Sequence, residues 1–179
     1  YRHPILSKRD LVVVISQSGE TADSLAALRE AQEMGASTLA IVNVVGSSIA
    51  REAQRVIYTV AGPEIAVATT KAYSCQLLVM DLFALDLALH HKRIREEDAQ
   101  ELICALKTLP RKMDEILREE EAYREVAERF LNKEHMFFVG RGMDYAGCLE
   151  ASLKLKEVSY LHSEAYAAGE LKHGTISLI

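Results

Sequence analysis

The run Leu11-Val12-Val13-Val14-Ile15 constrains this chain more than any other stretch. It is continuously apolar and mostly β-branched, too short for a buried helix and without the alternation of a half-wet strand. Such a run is expected as a strand covered on both faces, the environment of a parallel sheet. A polar loop follows, residues 16–21, and then a helical pattern over residues 22–34. Leu25, Ala26, Leu28 and Met34 give the pattern its apolar face, and Gly35 stands at its C-terminal end. Two more buried strands are predicted, residues 38–45 and 56–60, with a loop and short helix over 46–54 between them. This alternation predicts an α/β fold, parallel sheets flanked by helices with right-handed crossovers.

Gly62-Pro63 breaks the pattern, and a long helix is expected over residues 66–91. Two further helices are expected around Pro110, over 96–109 and 112–132. Their acidic run Glu119-Glu120-Glu121 reads as a solvated helix face. His135-Met136-Phe137-Phe138-Val139 opens a second unit on the same plan. A Gly140-Arg141-Gly142 turn follows, then a helix over 144–161, a polar glycine-punctuated loop over 163–174 and an apolar strand over 175–179. The turn lacks the third glycine of a dinucleotide fingerprint, because Tyr145 stands there.

Composition removes several function classes. The 179 residues carry 26 acidic and 21 basic side chains, a net charge of −5, with no Trp and 6% aromatics. Neither a basic tract nor a stacking platform for bases is present, so no nucleic-acid partner is expected. Cys75, Cys104 and Cys148 are too scattered for zinc or a disulfide framework, which predicts reduced thiols and a cytoplasmic location. The longest apolar stretch, 77–89, is interrupted by Asp81 and Asp86 and falls short of the ~20 residues of a membrane span, so no membrane is expected. No signal peptide opens the chain, and both ends read as cut from a longer protein.

Four segments carry chemistry. Ser16-Gln17-Ser18-Gly19-Glu20-Thr21 lies between a buried strand and a helix start, where free N–H groups and the helix dipole favour an anion. Hydroxyls and an amide without a lysine suit a phosphomonoester and exclude a Walker loop. Plain capping by Ser18 or Thr21 is the competing reading. Thr69 and Thr70, at the start of the long helix, either add to that anion site or cap the helix. Glu150, Lys154 and Glu157 share an arc of ~60° at ~100° per helical residue, bordered by Leu149, Leu153, Tyr160 and Leu161. A carboxylate beside that apolar stripe suits a general base, and a surface Glu–Lys pair is the alternative. Glu164, Glu170, Lys172 and His173 crowd a loop bearing Gly169 and Gly174, where His173 is placed to shuttle protons.

Together four motifs resemble one family. They are Ser16-Gln17-Ser18-Gly19-Glu20-Thr21-Ala22-Asp23, Asn43-Val44-Val45-Gly46-Ser47-Ser48, Ala61-Gly62-Pro63-Glu64-Ile65, and Glu164-Ala165-Tyr166-Ala167-Ala168-Gly169-Glu170-Leu171-Lys172-His173-Gly174. The sequence resembles the isomerase half of the glucosamine-6-phosphate synthases, the isomerising glutamine–fructose-6-phosphate aminotransferases. That half is two sugar isomerase (SIS) domains. The resemblance implies the later part of the first over residues 1–92 and the early part of the second over 93–179, joined near 89–95.

It also implies roles. Ser16, Gln17, Ser18 and Thr21 would hold the phosphate of fructose-6-phosphate or glucosamine-6-phosphate, and Val67 and Thr69 would line the sugar site. The family commonly has Ser at the Thr69 position and Pro at the Thr175 position. Glu157 would move a proton between C1 and C2, Lys154 would contact the open-chain sugar, and His173 would assist ring opening from the neighbouring subunit of a homodimer. No metal or other cofactor is implied. A glutaminase domain belongs to the parent chain, as does a tail lysine that forms a Schiff base with the ketose. The alternatives are a related SIS phosphosugar isomerase or deglycase, a non-catalytic sugar-phosphate sensor, and a fragment that folds and dimerises without chemistry.

Overall fold

The computed structural model describes residues 4–178. It divides into two compact units, the first ending at Lys107 and the second beginning at Thr108. The first contains a three-stranded parallel sheet of β1 (Leu11–Ser16), β2 (Ser37–Val42) and β3 (Arg55–Tyr58), in that spatial order. The parallel α/β architecture expected from the first apolar run is therefore observed. β2 is central, and from Thr38 to Val42 every residue is buried. Helix α1 (Ala22–Glu33) packs Leu28 onto Val14, Ala40, Val42 and Ile49, the last from α2 (Ser48–Glu52). Gly35, in the left-handed conformation at φ +83°, ends α1. Ala36 N–H reaches Ala31 C=O and Gly35 N–H reaches Gln32 C=O, the Schellman pattern that frees a helix end without a side chain.

Several boundaries differ from the sequence expectation. β2 and β3 end at Val42 and Tyr58, because Asn43 and Val60 leave the ladder. The Asn43 side chain binds Thr59, Ala61 and Gly62, and Val60 takes φ +54°. Helix α3 (Lys71–His90) begins later than predicted, since residues 61–70 form an irregular segment. Pro110 does stand at the junction of two helices, with the break two residues earlier at Thr108. It sits in the first turn of α5 (Leu109–Leu117), after α4 (Glu96–Lys107), where its missing N–H has no intrahelical partner to lose. A second break, at Arg118 and Glu119, divides the helix expected over 112–132 before α6 (Glu120–Glu128). Residues 111–130 are all exposed, so the acidic run does lie on a solvated face.

Helix α3 also revises the expectation about apolar length. Its 20 residues, with mean hydropathy 1.5, make it the one helix among the described residues long and apolar enough to cross a membrane by length and composition. Asp81 at its midpoint would cost about 2.5–3.5 kcal/mol at a bilayer centre.

In the second unit β4 (His135–Gly140) pairs in parallel with β5 (His162–Ala167), and α7 (Met143–Ser159) connects them. β5 lies where a loop was expected. Its polar residues are satisfied in place. Ser152 and Ser163, both buried, share a hydrogen bond of 3.0 Å, and the Ser163 hydroxyl lies 2.8 Å from the Ser152 carbonyl. The apolar run at the end is a 3-10 helix, Thr175–Leu178, and not a strand.

Tyr160 caps α7 at φ +61° while standing 93% exposed. The left-handed backbone costs a non-glycine residue ~1–2 kcal/mol, against ~0.5–1 kcal/mol of extra chain entropy for glycine. Tyr160→Gly is therefore expected to stabilise the fold by about 0.5–1 kcal/mol in urea denaturation. A loss of stability would show that the exposed ring has a packing role.

Candidate functional site

The loop from Ser16 to Thr21 stands at the carboxyl edge of the first sheet, the edge where open α/β sheets bind ligands. Ser16, the last residue of β1, is buried and organises it. Its Oγ accepts the Gly19 N–H at 3.0 Å and shares a 3.1 Å hydrogen bond with Thr21 Oγ1. Ser18 Oγ accepts the Glu20 N–H at 3.2 Å. Thr21 occupies the N-cap of α1 but makes no side-chain cap hydrogen bond. The capping reading of Thr21 is thus not realised: its hydroxyl is turned to Ser16, and the first turn of α1 lacks the usual side-chain acceptor.

The loop is pinned from below. Gly19 C=O accepts the Ile49 N–H at 2.9 Å, Gln17 C=O accepts the Asn43 N–H at 3.1 Å, and a Glu20 carboxylate oxygen accepts the Ser48 N–H at 2.8 Å. Hydrogen bonding by the Ser48 side chain, then by its backbone, holds the Glu20 carboxyl below its ordinary pKa. Gly19, at φ +67°, has no room for a side chain: a Cβ there would lie 2.1 Å from Ser47 Oγ. Ser47 itself is buried, and its Oγ has no hydrogen-bond partner among the described residues. The Gly19–Ser47 approach joins residues 28 positions apart, which is why local sequence pattern does not disclose it.

Val67 stands 98% exposed and Thr69 is half-buried, both in the irregular segment before α3. That segment is tied to the end of β2 by Asn43. The Asn43 Oδ1 accepts from Thr59 Oγ1 at 3.0 Å and Ala61 N–H at 2.9 Å, and its amide donates to Gly62 C=O at 2.7 Å. Lys71 Nζ closes the far end by donating to Pro63 C=O at 2.6 Å. Thr70 is the N-cap of α3 and, like Thr21, makes no side-chain cap bond.

In the second unit α7 brings Glu150, Lys154 and Glu157 together. Lys154 Nζ lies 2.6 Å from Glu157 and 3.5 Å from Glu150. The hydrogen bond to Glu157 is the largest cause holding the Lys154 ammonium above its ordinary pKa, outweighing desolvation. The expected apolar border is inverted. Leu149, Leu153 and Tyr160 are exposed, whereas the three charged side chains are the more covered. His173 is exposed in the turn after β5, its N–H bonded to Glu170 C=O at 2.9 Å. Gly140 has a packing reason, since a Cβ there would meet the α7 backbone at 2.6 Å. That close approach accounts for this glycine without a dinucleotide.

A parallel sheet with a hydroxyl-lined loop at its carboxyl edge, followed along the chain by a second parallel α/β unit, is the architecture of an SIS protein. The SIS domain family profile matches residues 2–86 and 129–179, and the chain belongs to that family. It is 54% identical over its whole length to the glutamine–fructose-6-phosphate aminotransferase (isomerising) of Caldanaerobacter subterraneus subsp. tengcongensis, and 55% identical to that of Clostridium tetani. In both cases it spans 29% of the relative's length. Among solved structures it matches the C-terminal domain of glucosamine-fructose-6-phosphate aminotransferase from Francisella tularensis. There the TM-score is 0.96 and the identity 39%, over all of this chain and 51% of that one.

The geometry around Gly19 yields a stability test. Gly19→Ala adds overpacking of ~1–3 kcal/mol to a left-handed-backbone cost of ~1–2 kcal/mol. Measured in urea, Gly19→Ala is expected to lose about 2 kcal/mol or more. In a double-mutant cycle, adding Ser47→Gly recovers the overpacking part alone. Additive effects of the two changes would refute the contact.

Proposed function

We propose that this chain is the sugar-phosphate-binding and isomerising part of a glutamine–fructose-6-phosphate aminotransferase, which makes glucosamine-6-phosphate from fructose-6-phosphate and glutamine-derived ammonia. One observation carries the reading: the hydroxyl-ringed loop at Ser16–Thr21 leaves the α1 N-terminus without its side-chain cap. That arrangement suits a phosphate held by neutral donors and a helix dipole. Whole-length identity above half to enzymes of that name supports the same assignment. The parts of two SIS domains are assigned a junction near residues 89–95, where α3 ends, while the compact first unit continues through α4 to Lys107.

In this mechanism Ser16, Gln17, Ser18 and Thr21 bind phosphate, and Val67 and Thr69 line the sugar. The anchor, remote from C1 and C2, supplies binding energy that positions the reacting carbons. His173, from the second subunit of a homodimer, assists ring opening to the ketose. The tail lysine of the parent chain condenses with the C2 carbonyl and releases water, and ammonia then adds at C2 and displaces the lysine amine, giving an imine. Glu157 takes a proton from C1 and delivers it to C2 while the O1 hydroxyl proton passes to the imine nitrogen, so the C2=N double bond becomes C1=O and the product is the aldose with its amine at C2. Lys154, already hydrogen-bonded to Glu157, contacts the open-chain oxygens. The steps are addition, elimination and proton transfer, so the chemistry calls for no metal or redox cofactor. A glutaminase domain in the parent chain supplies the ammonia. The enzyme works in the cytoplasm, with neither nucleic acid nor membrane as a partner.

Ser18→Ala in the parent enzyme is expected to raise KM for fructose-6-phosphate roughly tenfold to a hundredfold, from ~1.5–3 kcal/mol for a hydrogen bond to a charged group. An unchanged KM would remove Ser18 from the phosphate site.

The shared site is tested by mixing. Glu157→Gln and His173→Ala subunits, each inactive alone, are expected to regain roughly a quarter of wild-type activity after exchange. Half of randomly paired dimers are mixed, and each of those has one intact site of two. No recovery despite demonstrated exchange would put both residues in one subunit's site.

A further inference from the structure

At the amino-terminal edge of the two-stranded sheet, His135 opens β4 and His162 opens β5, and the two are in direct register across the parallel pair. Their rings are edge to face, with centroids 5.2 Å apart, and their Nδ1 atoms lie 3.2 Å from each other. Both side chains are exposed. On the outer side of His162, Nε2 lies 3.7 Å from a Glu164 oxygen, and the other oxygen of that carboxylate accepts the Tyr166 hydroxyl.

The spacing is what a metal ion requires. Two imidazole nitrogens bound tetrahedrally at ~2.0–2.1 Å from zinc stand about 3.3 Å apart. In the metal-free pair one Nδ1 must carry a proton and the other accept it. In the tautomer with its proton on Nε2, the side facing Glu164, His162 accepts at Nδ1 with that lone pair turned to His135. If the His135 proton moves to its own Nε2, a second lone pair is freed and no net charge is needed. A carboxylate on the far nitrogen of a histidine is also the arrangement that fixes ring orientation and raises basicity in metal sites.

We propose that His135 and His162 form a two-histidine site for a divalent transition metal of the zinc or copper class, with water completing the coordination. Among the described residues no group of three or more His, Cys, Asp or Glu is arranged to hold a metal, so this site has two protein ligands and open positions. The bound ion joins the starts of β4 and β5, the two strands on which the second unit is built. Its role is a clip, independent of the proposed isomerase chemistry.

The test uses the full-length protein that carries this chain, with Zn2+ in equilibrium dialysis and Cu2+ as a paramagnetic probe. Wild type is expected to retain one more zinc per chain than His135→Gln or His162→Gln, with at least tenfold weaker binding in either variant. Cu2+ bound to wild type is expected to show superhyperfine coupling to two nitrogens at this site, lost in both variants. Because the two substitutions lie on different strands, folding of either one suffices for the comparison. Equal zinc retention in wild type and a folded variant, or an unaltered Cu2+ spectrum, overturns the site.

Discussion

The first unit turns on the near-contact between Gly19 and Ser47. Strand β1 delivers the loop, and β2 delivers the turn that carries Ser47. Only a residue without a Cβ lets the two meet. From that approach the Gly19 carbonyl reaches Ile49, the Glu20 carboxylate reaches Ser48, and Ile49 enters the core with Leu28 and Val42. Loop shape and hydrophobic packing are therefore one arrangement. The Ser47 hydroxyl, buried without a partner, forfeits ~1–3 kcal/mol, which the surrounding apolar burial offsets.

The second unit solves a different problem. β5 has few apolar residues, so it cannot be held as β1 and β2 are. It is held by the ladder to β4 and by the Ser152–Ser163 hydroxyl pair, which satisfies buried oxygens on both α7 and β5. The same helix carries the Glu150–Lys154–Glu157 row, where one ammonium sits between two carboxylates. Such a row is worth little as surface electrostatics. In the proposed mechanism the row matters by holding Lys154 and Glu157 at a fixed spacing.

Much of this was legible in residues 11–35, because a β-branched run, a polar loop, an amphipathic helix and a C-terminal glycine are each local signals that agree. β5 was not, since Ser163, Glu164 and Tyr166 read as loop until pairing with β4 is known. The inverted border of α7 was hidden for a related reason. Periodicity finds an apolar stripe but does not say that Ser152 is buried against β5 while Leu149 and Leu153 stay exposed. The motif 16–21 pointed to an anion loop, yet its support from Ser47 and Asn43 comes from positions far along the chain. The His135–His162 pair likewise exists only through the parallel register.

Asn43 has a consequence for the protein's chemical lifetime. Its carboxamide spends both ends at once, accepting from Thr59 and Ala61 and donating to Gly62, and so it ties the start of the segment that bears Val67 and Thr69 to the end of β2. Hydrolysis of that amide to a carboxylate, the familiar slow ageing of asparagine, deletes the donor and turns a negative oxygen toward the Gly62 carbonyl. One atom exchanged in an otherwise intact chain removes one of the three side-chain hydrogen bonds at the root of the segment. The β-branched Val44 that follows crowds the backbone attack by which such damage begins, and so protects the joint it adjoins.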